Sequence, residues 1–504
     1  MGEGGSEVLV LGASGYVGSR LVALLVTKGH RVRAASRSAE RMEVMPWADH
    51  PSVDMVEADV LDGPSLERAC EGADVVYYLV HSMVSSPRRF AQVDREGAEN
   101  LARAAAKAEV GRIIYLGGLS EVVGYGSEHL KSRDEVAQIL DDGEVPTTTL
   151  RAAMVMGSGS ASFEIMRYLV DRLPMMTTPK WVQSLTQPIA IRDVLGYLAG
   201  VLEVPETVGR TFDVGGPEVL NYMALMDIYT EEAGMRRRII IQVPFLSPKL
   251  SSYWIGLVTP VPAAMARRLA EGLSSRSVCK DRSILELVPM DLQDSVDAIR
   301  GALDPEQWLL PYGYWDVETM ARHPEWAHPG DPPWAGGTEF EDRRRIELEA
   351  DGATTWEPVE RIGEELSCCY PDRLWNLWRR GDRLACDLAG RLDLGPREGR
   401  AACALWDVHS KEKGSGLTVR LDLGPFGAGS IGFGVDGKED GPTRVEQRVS
   451  FRPKGVAGIV YWYATLPVHL LVFDRTIRWV AKETGGGVIS GPRREVSLRA
   501  GASL

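Results

Sequence analysis

The densest chemical signal in the chain is Gly12-Ala13-Ser14-Gly15-Tyr16-Val17-Gly18, which follows a short apolar run at 8–11 and opens an apolar helical stretch at 16–28. Glycines at three-residue spacing between a strand and a helix make a turn that can cradle phosphate. Gly12 permits the tight turn and Gly15 lets the backbone approach a pyrophosphate. Gly18 lets the helix pack close to the strand, and the helix N-terminus supplies amide donors and positive potential. Together these residues predict a dinucleotide site. The second strand ends Ala34-Ala35-Ser36-Arg37, with no acid to accept from a ribose 2′-hydroxyl. Arg37, helped by Ser36 and by Arg33 or Arg41, suits a 2′-phosphate; the competing reading is a solvated surface arginine. NADP(H) is therefore the expected cofactor and NAD(H) the second choice. Asp59-Val60, after the third strand, is placed to meet the adenine.

A second group stands where later strands end. The fourth runs out in Val80-His81-Ser82-Met83, at the sheet edge where ligands bind in such folds. His81 reads equally as a nicotinamide or substrate contact and as a buried turn residue bonded to backbone. Phe163, Tyr168 and Trp181 are residues that could line a substrate pocket, or simply core.

The elements that must hold these residues are legible as well. Runs at 8–11, 31–35, 53–57, 75–80 and 112–116 read as strands of a buried parallel sheet, and 91–108 carries apolar residues at helical spacing. That alternation predicts a doubly wound α/β domain, with further β/α elements to about residue 289. The stretch 323–337 (HPEWAHPGDPPWAGG) is rich in Pro, Gly and Trp and reads as a linker. Beyond it, alternating runs at 417–423, 430–435 and 443–451 suit an antiparallel sheet, followed by a long helix at roughly 455–482 and a Gly-rich tail. The expected units are 1–300, a linker 301–345, a second domain 346–484 and a flexible tail 485–504. Residues 456–473 contain no formal charge; Pro467, His469 and the strands before them favour a core helix over a membrane span, with peripheral membrane contact through Tyr461-Trp462-Tyr463 as the minority reading.

Composition bounds the rest. The 504 residues, 44% hydrophobic, exceed one domain and exclude whole-chain disorder. With 57 Lys and Arg against 70 Asp and Glu, the formal charge of −13 disfavours nucleic acid as partner. Six cysteines without a CxxC pair suit reduced thiols in a cytoplasmic protein without structural zinc. No HExxH, Walker loop or Gx-Ser-xG elbow occurs.

GASGYVG, Asp59-Val60, YYLVHSM and YLGGLS resemble an atypical, extended short-chain dehydrogenase/reductase, most closely its NmrA-like branch. Arg151-Ala152-Ala153-Met154, Gln187-Pro188-Ile189-Ala190 and Val214-Gly215-Gly216-Pro217 carry the likeness onward, so that it covers roughly residues 7–300. The resemblance implies that Val80 and Gly117 border the cofactor and that Ser120 holds the family's catalytic serine position. The usual Tyr-xxx-Lys pair is missing: His129 stands at the Tyr position and Arg133 at the Lys position, with Lys131 and Tyr125 as nearby substitutes. His129 is either a proton donor or a helix-end histidine without chemistry. Leu405-Trp406-Asp407-Val408, residues 443–453 and the YWYATLPVH run resemble a START-type (SRPBCC) helix-grip domain, which implies an apolar cavity. The expected function is NADPH-dependent reduction of a C=C, C=O or C=N bond in an apolar small molecule, in the manner of secondary metabolism. The alternative is a non-redox NADP-binding module, or a cofactor-stabilised cyclase or isomerase, whose C-terminal domain holds a hydrophobic ligand. Oligomeric state is not legible.

Overall fold

The computed structural model describes residues 6–81, 90–119, 128–243, 255–272, 275–308, 315–364, 405–437 and 441–499. The N-terminal half alternates β1 (Glu7–Leu11), α1 (Tyr16–Thr27), β2 (Arg31–Ser36), β3 (Val53–Glu57), β4 (Val75–Tyr78), α2 (Phe90–Lys107), β5 (Arg112–Gly118), α3 (Glu128–Asp141), β6 (Thr147–Ala152), α4 (Ala161–Arg172) and β7 (Thr211–Val214). The seven strands form one sheet in the order β7-β6-β5-β4-β1-β2-β3, and every pairing is parallel. The doubly wound expectation is therefore met. Parallel strands must be covered on both faces. Here Val8, Val10, Leu21 and Ile114 pack on one side of the sheet, and Leu9, Leu11, Leu101 and Ile113 on the other. The order reverses between β1 and β4, so the ends of these two strands open the crevice where such sheets bind ligands.

The second unit is an antiparallel sheet built from β8 (Glu339–Glu349), β9 (Leu405–Glu412), β10 (Gly416–Asp422), β11 (Gly427–Gly437), β12 (Thr443–Pro453) and β13 (Gly487–Arg499). Its order is β9-β10-β11-β12-β8-β13. Helices α5 (Gly352–Glu364) and α6 (Gly455–Thr484) lie on one face. Ile346, Val419, Phe433 and Val449 from the strands meet Trp356, Phe473 and Ile477 from the helices in a common core.

Four expectations change. Residues 301–345 are not a free linker. His323–Trp326 stack and Asp331 reaches α1, while 339–345 already belong to β8. Prolines and glycines there serve a fixed wrap rather than a hinge, because the carbonyls of Pro324 and Trp326 accept from buried Arg20 and that of Trp334 from Tyr168. Residues 487–499 of the expected flexible tail form β13, whose backbone pairs with β8 from Glu339 to Glu349. The sheet and long helix of the helix-grip expectation are present, but a strand follows the helix, which such a fold would place last. Finally, α6 is only a third buried over its apolar window, so it is not a core helix along its whole length.

Arg20 joins the two halves. Its side chain is fully buried and pairs with Asp331 at 2.7 Å. It also donates to the carbonyls of Pro324, Trp326, Ser158 and Tyr16. Asp331→Ala leaves a buried, uncompensated guanidinium, which costs about 3–5 kcal/mol. Urea unfolding monitored by circular dichroism should show that loss, and an unchanged midpoint would contradict the assignment.

Candidate functional site

The glycine turn has the geometry its sequence implies. Gly12 lies at φ +90°, and a Cβ there would stand 3.0 Å from the Leu79 carbonyl. A Cβ on Gly18 would overlap the Gly12 carbonyl oxygen, so helix and turn approach each other more closely than any other residue allows. Gly12 and Ala13 both donate backbone N–H to the Ala35 carbonyl at 3.0 Å, which ties the turn to the end of β2. Gly15 caps α1 in an extended conformation, with no side chain bonded to the first-turn amides. Ser14 Oγ and Ser36 Oγ are 2.7 Å apart, and Arg37 follows, exposed. This cradle fits a nicotinamide dinucleotide: backbone amides for the pyrophosphate, with two hydroxyls and a guanidinium toward the ribose end. Arg33 does not join it, because its guanidinium donates to the Ala69 and Glu71 carbonyls and lies near Glu7 and Asp54. Arg41 is exposed nearby. Asp59 turns its carboxylate onto the Leu61 amide, and the carbonyl of buried Val60 accepts from Asn100.

At the neighbouring strand end, two histidines meet. His81 Nε2 and His129 Nδ1 are 3.0 Å apart, with ring centroids at 4.6 Å. His81 Nδ1 lies 3.3 Å from Asp94 Oδ2, which also accepts from Ser132 Oγ at 3.1 Å. Burial, with the Arg133 charge added, pushes His81 down to about 4 against the pull of Asp94. Burial, then His81 and Arg133, push His129 down to about 2. Both rings are neutral near pH 7. With a carboxylate at Asp94, His81 Nδ1–H donates to it and His129 Nδ1–H donates to His81 Nε2. His129 Nε2 then carries the lone pair. The chain Asp94–His81–His129 is thus a continuous proton path. Among the described residues, the partners of the His81 ring are the side chains of Asp94 and His129.

Arg133, one helical turn after His129, donates to the Leu116 carbonyl at 2.8 Å, while Tyr115 OH donates to the Arg133 carbonyl. It therefore stands at the end of β5 beside Gly117. Val80 leads directly from β4 into His81. Lys131 is exposed, two residues out of phase with the His129–Arg133 face, and does not join the cluster. Tyr16 is packed under the Arg20 guanidinium, 4.2 Å from its ring centre, and burial raises its hydroxyl. Val17 packs on the sheet core. Phe163 is fully buried, edge-on to Tyr229, and is core rather than pocket lining. Tyr168 is also core and donates its hydroxyl to the Trp334 carbonyl. Trp181 belongs to the short turn Lys180–Gln183, its side chain outside the described residues. Ser82, Met83, Ser120 and Tyr125 lie outside the described residues.

Sequence reasoning missed Asp94. The signal was present: on α2 it lies in phase with buried Phe90, Gly97, Ala98 and Leu101, an acid on an otherwise apolar stripe. Buried carboxylates of that kind need a partner, and His81 and Ser132 supply it.

Comparison with known proteins bears on this half. Residues 12–151 match a family model described as NAD(P)H-binding. The N-terminal unit is a Rossmann-type unit whose residues 12–151 are similar to that NAD(P)H-binding family. Residues 334–476 match a second model, described as protein of unknown function (DUF2867). Among curated relatives, the mitochondrial NADH-ubiquinone oxidoreductase 40 kDa subunit of Neurospora crassa is 25% identical over 237 residues, 47% of this chain and 62% of that one. A 3-beta-hydroxysteroid dehydrogenase of Mycolicibacterium neoaurum is 32% identical over 127 residues, 23% of this chain and 33% of that one. The chain thus spans less than two thirds of the length of either relative. A nucleoside-diphosphate-sugar epimerase structure from Staphylococcus aureus covers 58% of this chain and 99% of its own, at 18% identity and a TM-score of 0.48.

The histidine pair makes a direct prediction. Imidazole NMR resonances of His81 and His129 should show neutral rings from pH 8 down to about 5, since burial holds both well below the ordinary value of about 6.5. A midpoint near 6.5 for either ring would show that the pair is not desolvated.

Proposed function

We propose that this chain is an NADP(H)-dependent oxidoreductase that reduces a polarised double bond of an apolar small molecule, with His129 as the group that exchanges the proton. The observation that carries this reading is the buried Asp94–His81–His129 chain at the strand ends, next to the dinucleotide turn. When bound, the cofactor supplies the hydride.

The residues then have separate tasks. Ser14, Ser36 and Arg37 hold a 2′-phosphate, and the α1 amides hold the pyrophosphate. Arg133 orients the nicotinamide ribose. His129 gives a proton from Nε2 to the substrate atom that becomes electron-rich. An imidazolium is disfavoured at that depth, so the proton that His129 delivers is drawn along the row from its Asp94 end. As Nε2 releases its proton, His129 Nδ1 takes one from His81 Nε2 and His81 Nδ1 takes one from Asp94. The net change is one proton delivered and one carboxylate restored, with neither ring passing through a cationic state. Solvent reprotonates Asp94 between turnovers. This arrangement replaces the proton delivery of the missing Tyr-xxx-Lys pair.

The class of substrate follows from the relatives in the region that matches. The hydroxysteroid dehydrogenase of Mycolicibacterium neoaurum and a cinnamoyl-CoA reductase of Petunia hybrida, 29% identical over 123 residues, have names that denote a steroid alcohol and a conjugated acyl group. A ketone or an enone therefore fits better than an imine. Two described cysteines, Cys70 and Cys279, are free, and burial pushes both thiols up to about 11, in keeping with a reducing, cytoplasmic setting.

Two measurements test the reading. Fluorescence titration should show NADPH binding tighter than NADH. Arg37→Ala should erase that preference by removing a charge-assisted contact worth roughly 1.5–3 kcal/mol, a ten- to hundredfold loss. Against a panel of steroid and cinnamyl ketones and enones, His129→Ala should lower turnover by about 10²–10⁴ with NADPH affinity intact. Bound NADPH that no member of the panel oxidises would favour the binding-module alternative instead.

A further inference from the structure

Helix α6 has two apolar faces, and the fold uses one. Tyr461, Trp462, Val472, Phe473, Ile477 and Val480 are buried against the sheet. The opposite side carries Val456, Val460, Tyr463, Pro467, Val468 and Leu471, which recur every three to four residues and are all exposed. Val460 is 60% exposed, Tyr463 49% and Leu471 44%. No formal charge occurs from Gly455 to Phe473, and the most apolar window of the helix has a mean hydropathy of 1.6. At 1.5 Å per residue the exposed stripe is roughly 22 Å long. A continuous apolar strip of this length on a water-facing surface marks a contact with something else.

The charges at its C-terminal end say what. Arg475 and Arg478 follow the stripe on the same face, one and two turns beyond Leu471, whereas Lys454 before it is half-buried with its ammonium beside Gly234. Arg475 forms no ion pair among the described residues, and Arg478 is held by Asp474. A second copy of this chain is a poor occupant. Parallel pairing of two stripes sets Arg475 and Arg478 against themselves, and antiparallel pairing lays Arg475 beyond the partner's Val456, where the helix offers no acid to meet it. Protein interfaces also carry about one hydrogen bond per 100–200 Å². Apart from the Tyr463 hydroxyl, the stripe's side chains offer no group to make one. Acyl chains ask for none. A helix lying flat, with aliphatic side chains in the upper hydrocarbon, a tyrosine at headgroup depth and arginines reaching phosphates from its C-terminal end, matches a bilayer surface.

We propose that the outer face of α6 docks the protein on the surface of a phospholipid bilayer containing anionic headgroups, lying in the interface and not crossing it. The sheet-facing residues stay packed in the second unit, so docking leaves the fold unchanged. The inference is independent of the proposed reaction, because it concerns the opposite end of the chain.

The test is flotation of the full chain with vesicles of phosphatidylcholine, alone and with a quarter phosphatidylglycerol. The wild type should float, more strongly with the anionic lipid. Val460→Asp/Leu471→Asp removes two aliphatic anchors and should cut partitioning by more than about tenfold. Its melting temperature and NADPH affinity should match the wild type, because both positions are exposed. Arg475→Glu should abolish the anionic preference while leaving residual binding. In a Tyr463→Trp variant, the emission of that tryptophan should be quenched by brominated acyl chains at interfacial depth.

Three results would overturn the proposal. One is a wild type that stays with the soluble fraction on both vesicles. Another is undiminished flotation of Val460→Asp/Leu471→Asp. The third is a wild-type dimer in light scattering that this variant converts to a monomer, without lipid binding in either form.

Discussion

A guanidinium with no access to water must have its donors met by protein, and Arg20 sets that condition at the centre of the N-terminal unit. Six hydrogen bonds meet it, from its own helix, from Ser158 and from the 324–331 segment. Three chain segments far apart in sequence are thereby fixed around one side chain. The first is α1, whose N-terminus forms the phosphate cradle. The second is the strand-end loop at Gly157–Gly159, which leaves room for the Tyr16 ring because neither Gly157 nor Gly159 carries a side chain. The third is the Pro- and Trp-rich wrap that leads into β8. Glu164 reinforces the same junction by accepting from the amides of Gly159, Gly336 and Gly337. The orientation of the cofactor helix and the attachment of the second unit are consequences of the same buried charge.

The histidine pair obeys the same physics with the opposite outcome. Arg20 stays charged because a carboxylate and four carbonyls surround it. His81 and His129 give up charge because burial and the nearby Arg133 outweigh Asp94. A neutral pair in a hydrogen-bonded row can pass a proton without creating a buried cation, which an isolated imidazole at that depth could not do. The row links helix α2, the end of β4 and helix α3. Its geometry therefore depends on how both helices seat on the sheet, through Leu101 and Ala105 from one and Val136 and Leu140 from the other.

In the second unit the balance between burial and exposure is decided by α6. Its inner face completes the sheet's core, and Phe340, Phe451 and Trp462 stack where β8 and β12 meet the helix. The outer face repeats the same residue types, exposed apart from the edge-on contact of Tyr463 with Phe340. Hydropathy sums the two faces, so a stripe facing solvent and a stripe facing core give one signal. Only the position of the sheet distinguishes them.

The glycine spacing, the alternation of apolar runs and the Ser36-Arg37 strand end determined the Rossmann unit and its cofactor turn without any tertiary information, because those features are local and answer to backbone geometry. The antiparallel strands at 416–453 and the long helix were legible for the same reason. What the tertiary structure decided is everything that depends on residues distant in sequence. Asp94 joins His81 and His129 because α2 and α3 lie side by side, and no spacing in the chain states that. The wrap at 323–337 looks like a linker by composition, since Pro and Gly mark irregular backbone whether or not it is anchored; the anchor is Arg20, some three hundred residues away. The Gly-rich end becomes β13 because β8 offers it a free edge, and a ladder of backbone bonds is indifferent to side-chain composition. Phe163 and Lys131 show the limit from the other side: their residue types suited a site, and their positions on α4 and α3 turned one into the core and the other into solvent.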